Sequence, residues 1–543
     1  MTASLERGTV LPLVREITGN PDPLALYRLL SEGGRRTGTF LFESAEAGAD
    51  GGERSLLGVG IALRITCIAR TVSVEAVSPN GHSILPWIAE RLADTGRGEG
   101  ADSADGRGGP VVTLTGGTIH AIFPAPALDG HDEDARGKLP SPLDVLRSVI
   151  FGIRLLSHPT DACHLAAGIF SYDLVELFET LPFGGAETIV TPHFEFVVPD
   201  RLVIVNHLRH RTVLVANAYG GPGGAENYND AVRAIGDLLE AVESAGKSEA
   251  LAPSSSSPNG VSVDLSDEQY ADLVVRLKRH IVAGDVFQIV ASRTFVAPCP
   301  DPLAAYARLR SANPSPYLFY VVARDSILFG ASPETSVKVH GAPRRMTIRP
   351  IAGTAPRGRA ADGTIDSELD TRFEAALRLD EKETAEHMML VDLARNDVAR
   401  VSRRGSRHVT RLLSVDRYAH VMHLVSEVEG VLADGHDALH AYAAAMNMGT
   451  VVGAPKIRAA QILRDVEATR RGAYGGAVGY LGHDGELDTA VVIRAAVVRD
   501  GVAHVRAGAG IVFDSDPHSE ALETRRKAEA VLRAIAAAGD QRV

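Results

Sequence analysis

The order in which strand-like and helix-like segments follow one another excludes more folds for this chain than any other property of its sequence. Over the first 243 residues, short β-branched runs such as ALRITCIARTVSVEAV (62–77) and RLVIVNHLRHRTVLVANAY (201–219) are divided by turn residues, the pattern of antiparallel strands. Later, helical periodicity at 267–284 and 302–313 mixes with strand runs at 326–331, 419–430, 489–498 and 503–513. A parallel sheet needs helices alternating with strands, and that regularity is missing. The prediction is an α+β fold of antiparallel sheets flanked by helices.

The segment SAGKSEALAPSSSSPNG (244–260) is too polar and too rich in Ser, Pro and Gly to bury a core. It predicts a linker over 244–262, between an N-terminal region (1–243) and a C-terminal region (263–543). A second such stretch, 95–110, reads as a surface loop inside the first region.

With 56 Lys and Arg against 68 Asp and Glu, the net charge of −12 opposes polyanions, so nucleic acid is not an expected partner. An acidic small molecule would need a local remedy, such as a bound cation and aimed arginines. Cys67, Cys163 and Cys299 are widely spaced and lack any CxxC, which suits a reducing cytoplasm better than a disulfide or zinc framework. No segment reads as a signal peptide or a membrane span.

Glu383 and Glu386 in KETAEH stand three apart within a helical pattern, and so do Glu520 and Glu523 in SEALET, where Asp516-Pro517 predicts a helix start. Each pair shares a helix face. Mg²⁺ takes one or two carboxylates, keeps waters and completes its shell from an anionic substrate, which four such glutamates could serve. The bland alternative for either pair is a solvated helix face.

The glycine clusters are not nucleotide loops. GTVVGAPK (449–456) has Pro455 where a P-loop needs glycine, and RAGAGIVF lacks a third glycine. These glycines either make tight turns and close backbone packing or, around Thr450, Tyr474 and Gly508 to Gly510, let backbone N–H groups approach substrate carboxylates closely. Arg494, inside the apolar run VVIRAAVV, should face a fixed anion, either a substrate or a structural Asp or Glu. His420 and His423 are an odd number apart on a predicted strand, so they point to opposite faces and cannot chelate one ion.

Read together, PIAGTAPRG (350–358), KETAEHMMLVDLARND (382–397), DRYAHVMHLV (416–425), MGTVVGAPKIRA (448–459), YGGAVGY (474–480), DTAVVIR (488–494) and AGAGIVFDSDPHSEALET (507–524) resemble the chorismate-binding enzymes, and within them the large subunits of anthranilate synthases. FLFES (40–44) and GIFSYDLVELFETLP (168–182) extend the likeness to nearly the whole chain. The resemblance implies two interleaved domains of sandwiched antiparallel sheets. It also implies a Mg²⁺ site in which Glu386 and Glu523 are direct ligands, with Glu383 and Glu520 beside them, anchoring the ring carboxylate of chorismate.

The same resemblance makes Glu334 in GASPET the acid that protonates the departing C4 hydroxyl, a role that needs a raised pKa. Arg494 and Tyr474, with the Gly510 N–H, would grip the enolpyruvyl carboxylate, and Gly353, Thr450, Gly508 and Ala509 join the substrate-binding set. His423 matches the histidine linked to pyruvate elimination, and Thr354 and Gln288 fall in the catalytic set. Gln288 stands where water-activating relatives carry lysine, and an amide cannot be a general base near neutral pH. Ala352 replaces the lysine of PIKGT in aminodeoxychorismate synthases. Ammonia attack at C2 remains, and no GxCxG-like segment is present to supply it, so a separate glutamine amidotransferase subunit is the expected partner. A feedback site for tryptophan is implied at Phe42, Glu43, Ser44, Arg54, Pro316, Tyr317, Leu318, Val478 and Tyr480. Two other readings stay open at this stage: an enzyme that stops at 2-amino-2-deoxyisochorismate, and a non-catalytic tryptophan-binding module.

Overall fold

The computed structural model describes residues 5–44, 54–94, 109–125, 139–160, 162–179, 181, 191–246, 260–360, 362–418 and 421–539. Most of the predicted linker, most of the 95–110 loop and His420 lie outside these residues.

The β-branched runs of the first half fold as antiparallel pairs. Arg54–Ile68 pairs with Thr71–Ala76, and Phe194–Asn206 pairs with Arg211–Tyr219. Among the described residues every strand pairing is antiparallel except the two-residue contact of Thr9 and Val10 with Arg154 and Leu155. The fold is α+β, as the order of segments predicts.

The break in composition near residue 250 is not a break in the sheet. Phe40–Glu43 pairs with Tyr317–Val322, setting Phe42 opposite Phe319, and Leu165–Phe170 pairs with Ala477–Gly482, setting Phe170 opposite Ala477. Strands from both sides of the linker therefore complete each other's hydrogen-bond ladders, which satisfies edges that would otherwise be left open.

The helices that matter for function begin where their caps say they should. Asp380 accepts from the Glu383 N–H at 3.0 Å and starts Glu381–Val401. Asp516 accepts from the Ser519 N–H at 2.8 Å at the head of Pro517–Gly539, with proline in the first turn. Ser266 and Gln269 close a capping box on Asp267–Val282. The Pro517–Gly539 helix buries Ala521, Ala528, Val531, Leu532 and Ile535 across the strand Val502–Ile511 and against the helices Asp267–Val282 and Pro302–Ala312.

One predicted strand is wrong. The apolar run 489–498 is two strands, Leu487–Val491 and Ala495–Arg499, with Arg494 at φ +52° between them. The first pairs with Ala477–Gly482 and Thr335–His340, the second with Ile327–Ser332 and Val502–Ile511. The chain changes partners there while staying buried on both sides, so hydropathy is continuous and no glycine or proline marks the turn.

Candidate active site

Both glutamate pairs lie on helices, and the two helices bring all four carboxylates within electrostatic reach. Burial pushes the Glu386 carboxyl above its ordinary value; Lys382 opposes this, and Glu383, Glu520 and Glu523 add like-charge repulsion. Glu383 is raised by burial, Asp380 and Glu523, and Glu520 by burial and Glu523. Two lysines offset the charge: Lys527 Nζ is 2.6 Å from Glu523 Oε1, and Lys382 Nζ is 3.8 Å from Glu386 Oε1. Among the described residues, no group of three or more His, Cys, Asp or Glu side chains is gathered tightly enough to hold a metal unaided. An oxygen-only set that repels itself suits a hard divalent cation, and Mg²⁺ needs few protein ligands when waters and a substrate carboxylate complete its shell.

Glu334 sits between the strands Ile327–Ser332 and Thr335–His340 and is only 5% exposed. Burial pushes its carboxyl up to about 7, against the hydrogen bond from Thr450 and the charges of Arg494 and Lys527. Thr450 comes from the short helical turn Gly449–Val452, and its hydroxyl donates to Glu334 Oε1 at 2.6 Å. A carboxyl poised in this way holds a proton at neutral pH and can surrender it.

Arg494, at the strand break, is the electrostatic centre. Burial lowers its guanidinium pKa, while Tyr474, Glu523 and Glu334 draw it back. Its side chain makes no hydrogen bond or ion pair among the described residues, so the structural Asp or Glu partner considered from sequence is not there.

Tyr474, Gly508 and Gly510 are placed by packing. The strand Gln288–Pro298 pairs with Val502–Ile511 so that Val290 faces Gly510, Ala291 faces Ala509 and Ser292 faces Gly508. A Cβ on Gly508 would lie 2.8 Å from the Tyr474 hydroxyl, and one on Gly510 would lie 2.6 Å from Gln288 Nε2. Only glycine leaves room for either side chain. Gln288 is buried at this edge, its Oε1 without a partner among the described residues.

His423 and Thr354 meet across a β-bulge. In the pairing of Ile351–Pro356 with Val421–Val431 the register shifts between Ala352 and Thr354, and Gly353 fills the extra position at φ +83°. The bulge brings Thr354 Oγ1 to 2.9 Å from His423 Nδ1, with the Gly353 carbonyl at 3.4 Å. Burial, with repulsion from Arg494, lowers the His423 pKa, so the ring is neutral at neutral pH. Glu383 closes on the same bulge. Its Oε2 is 3.3 Å from where a Gly353 Cβ would be, and the Thr354 N–H favours its ionised form.

Sequence reasoning did not single out Lys527 or the ion cluster beneath Tyr474. Lys527 Nζ reaches the Gly508 carbonyl at 3.0 Å as well as Glu523. Its place four residues after Glu523 was the available signal. Glu467, 6% exposed at its side chain, accepts from Ser292, Arg471 and Arg506. Arg471 then lies over the rings of Tyr172 and Tyr474. This cluster sets the floor on which Tyr474 rests.

The residues suggested for tryptophan fall in two groups, one on and beside Phe40–Glu43 and its paired strands Arg54–Ile68 and Tyr317–Val322, the other on Ala477–Gly482, which pairs with Leu487–Val491 and Leu165–Phe170. Leu318 lies opposite Glu43, and Tyr480 lies opposite Asp488, whose carboxylate accepts from the Tyr317 hydroxyl at 2.9 Å. Arg54 donates to Glu486 at 2.9 Å and to the Tyr480 hydroxyl, and Val478 is two residues from Tyr480 on the same strand. Glu43 is committed to Tyr306 and Arg310, at 2.6 and 2.8 Å. The Ser44 hydroxyl is buried without a partner among the described residues. Phe42 packs on Phe40 with ring centroids 4.9 Å apart, and Pro316 precedes the Tyr317–Val322 strand.

A family model of chorismate-binding enzymes matches residues 120–533, and the chain belongs to that family. Its relatives narrow the class. Anthranilate synthase component 1 of Vibrio cholerae is 46% identical over 522 residues, covering 96% of this chain and 95% of the relative. That of Escherichia coli K12 is 45% identical over 518 residues, 95% of each chain. The pyocyanine-specific anthranilate synthase component 1 of Pseudomonas aeruginosa is 46% identical over 524 residues, 96% of this chain and 93% of the relative. Among solved structures, anthranilate synthase component I of Streptococcus pneumoniae aligns with a TM-score of 0.66 at 28% identity, covering 90% of this chain and 94% of that one. The menaquinone-specific isochorismate synthase of E. coli aligns with a TM-score of 0.62 at 17% identity over 98% and 97% of the two chains, a likeness of fold.

Proposed function

We propose that this enzyme is the large subunit of an anthranilate synthase, converting chorismate and ammonia to anthranilate and pyruvate through 2-amino-2-deoxyisochorismate. One observation carries the reading: two separate proton-handling stations, Glu334 with Thr450 and His423 with Thr354, both feel Arg494. A reaction with two bond-breaking steps on one bound acid needs both stations.

In the first half-reaction Glu334, protonated near neutral pH, gives its proton to the C4 hydroxyl, which leaves as water while ammonia adds at C2. Gln288 offers no base for water where water-activating relatives carry lysine, which disfavours water and favours ammonia as the nucleophile. Arg494 and the Tyr474 hydroxyl hold the enolpyruvyl carboxylate, and the uncommitted guanidinium has its charge free for that anion. In the second half-reaction the C2 proton is lost and the C3–O bond to the enolpyruvyl group breaks. His423, neutral and anchored through Nδ1, attends that step, and aromatisation drives it. Glu386 and Glu523, with Glu383 and Glu520, would hold Mg²⁺, which supplies charge neutralisation for the ring carboxylate.

The physiological ammonia source in this reading is glutamine hydrolysed by a partner amidotransferase, and the setting is the cytoplasm. Tryptophan inhibits by binding between the Phe40–Glu43, Tyr317–Val322 and Ala477–Gly482 strands. The test is direct: purified protein with chorismate, Mg²⁺ and ammonium should yield fluorescent anthranilate and one equivalent of pyruvate. A non-aromatic amine as the sole product would overturn it.

A further inference from the structure

Two bulged strands and the first carboxylate helix are tied together by a single buried side chain that no part of the reaction uses. His387 follows Glu386 on the Glu381–Val401 helix and is fully buried, as is Ser426 on Val421–Val431. His387 Nδ1 lies 3.2 Å from the Ala352 carbonyl, and its Nε2 lies 2.6 Å from Ser426 Oγ. The Leu413 N–H donates to the same hydroxyl at 3.0 Å.

The roles follow from what each atom can do. A carbonyl only accepts, so Nδ1 carries the proton. In the neutral ring Nε2 accepts, so the Ser426 hydroxyl donates to it and accepts from Leu413. The chain of bonds thus runs in one direction, from Leu413 through Ser426 and His387 to Ala352, with every member satisfied.

Its end points are the irregular places. Ala352 opens the bulge that carries Gly353 and Thr354. Leu413, at φ +50°, lies in the register shift between Arg411 and Ser414 in the pairing of His408–Arg417 with Val421–Val431. A bulge frees ladder groups and lets a strand bend, so its direction depends on what binds those groups. Here one imidazole binds one bulge directly and the other through Ser426, and the peptide that carries it also carries Glu386.

We propose that His387 is a positioning residue that holds the Glu383–Glu386 turn and the Thr354–His423 pair in one frame. The intermediate formed beside the glutamates then lies where His423 can act on it without release. The inference rests on the proposed two-step reaction.

Full-length His387→Gln and Ser426→Ala proteins provide the test, with Ser426→Ala, which keeps the His387 donor and removes little volume, as the arm least able to unfold the chain. Two quantities are measured: the ratio of released 2-amino-2-deoxyisochorismate to anthranilate, and the affinity for Mn²⁺ followed by electron paramagnetic resonance without chorismate. In folded variants the released intermediate should rise about tenfold, or Mn²⁺ affinity fall about tenfold, the size of effect seen when supports behind a site are lost. A change in either supports the proposal. Both values unchanged in a folded Ser426→Ala protein would overturn it. If the wild type makes no anthranilate, the proposed reaction falls, while the Mn²⁺ arm still decides whether His387 positions the carboxylates.

Discussion

Thr450 and Glu334, 116 residues apart, share a hydrogen bond of 2.6 Å that stabilises the ionised form of a carboxyl which burial holds protonated. The balance of the two sets the carboxyl at about 7. As a proton donor Glu334 works below that value and fails above it, so kcat should fall as pH rises through about 7. Thr450→Val removes the opposing bond, and the alkaline limb of the pH–rate profile should move upward. Glu334→Gln should lose about 10²- to 10⁴-fold in kcat, the usual contribution of a positioned acid.

Chelation should abolish turnover and Mg²⁺ should restore it. Glu386→Gln and Glu523→Gln should raise the Mg²⁺ concentration needed for half-maximal rate. Because burial and mutual repulsion raise the Glu383, Glu386 and Glu520 carboxyls, protons compete with the metal earlier on acidification than at ordinary carboxylates. The Mg²⁺ requirement should therefore increase as pH falls, which metal titrations at several pH values would measure.

Arg494→Met should separate stability from activity. A partly buried guanidinium that makes no direct ion pair among the described residues, and only feels Glu523 and Glu334 at longer range, is costly to the fold, so Tm should hold or rise on its removal. The chorismate KM should rise by about tenfold to a hundredfold, as for a lost charge-assisted contact worth 1.5–3 kcal/mol. A Tm fall of many degrees would assign Arg494 a structural role instead.

Thr354→Val leaves His423 in place and takes away its 2.9 Å partner at Nδ1. Loss of chorismate should continue while anthranilate lags. Chromatography of the reaction mixture should show the non-aromatic amine accumulating.

Arg54→Ala removes the contact to Tyr480 and Glu486 that joins the first half of the chain to the Ala477–Gly482 strand. Anthranilate synthesis without tryptophan should be near normal. The tryptophan concentration for half-inhibition should rise by about tenfold, the cost of one anchoring contact of about 1.4 kcal/mol.

Part of the arrangement around these residues is legible in the sequence alone. Asp516-Pro517 marks the start of the second carboxylate helix and apolar periodicity marks the first, so both glutamate pairs are placed on helices by local rules alone, whereas the Asp380 cap shows only in the structure. Arg494 stood out as a charge in an apolar run. Its strand break did not, because Val492 and Ile493 carry no turn signal and the chain merely exchanges one buried partner for another. Lys527 was hidden by ordinariness, since a lysine four residues from a glutamate is what any solvated helix shows. The Glu467 cluster and the His387–Ser426 contact join residues far apart in sequence, and only tertiary packing discloses such pairs.

The strands Phe40–Glu43 and Leu165–Phe170 lend their backbone to ladders that the second half of the chain cannot finish alone. Severed at the linker, each half would expose bare strand edges of the kind that aggregate. An effector held by the first half would pull on the same sheet that carries Glu334 and Arg494, so the proposed tryptophan regulation would be a property of shared scaffolding and not of one lobe signalling to another.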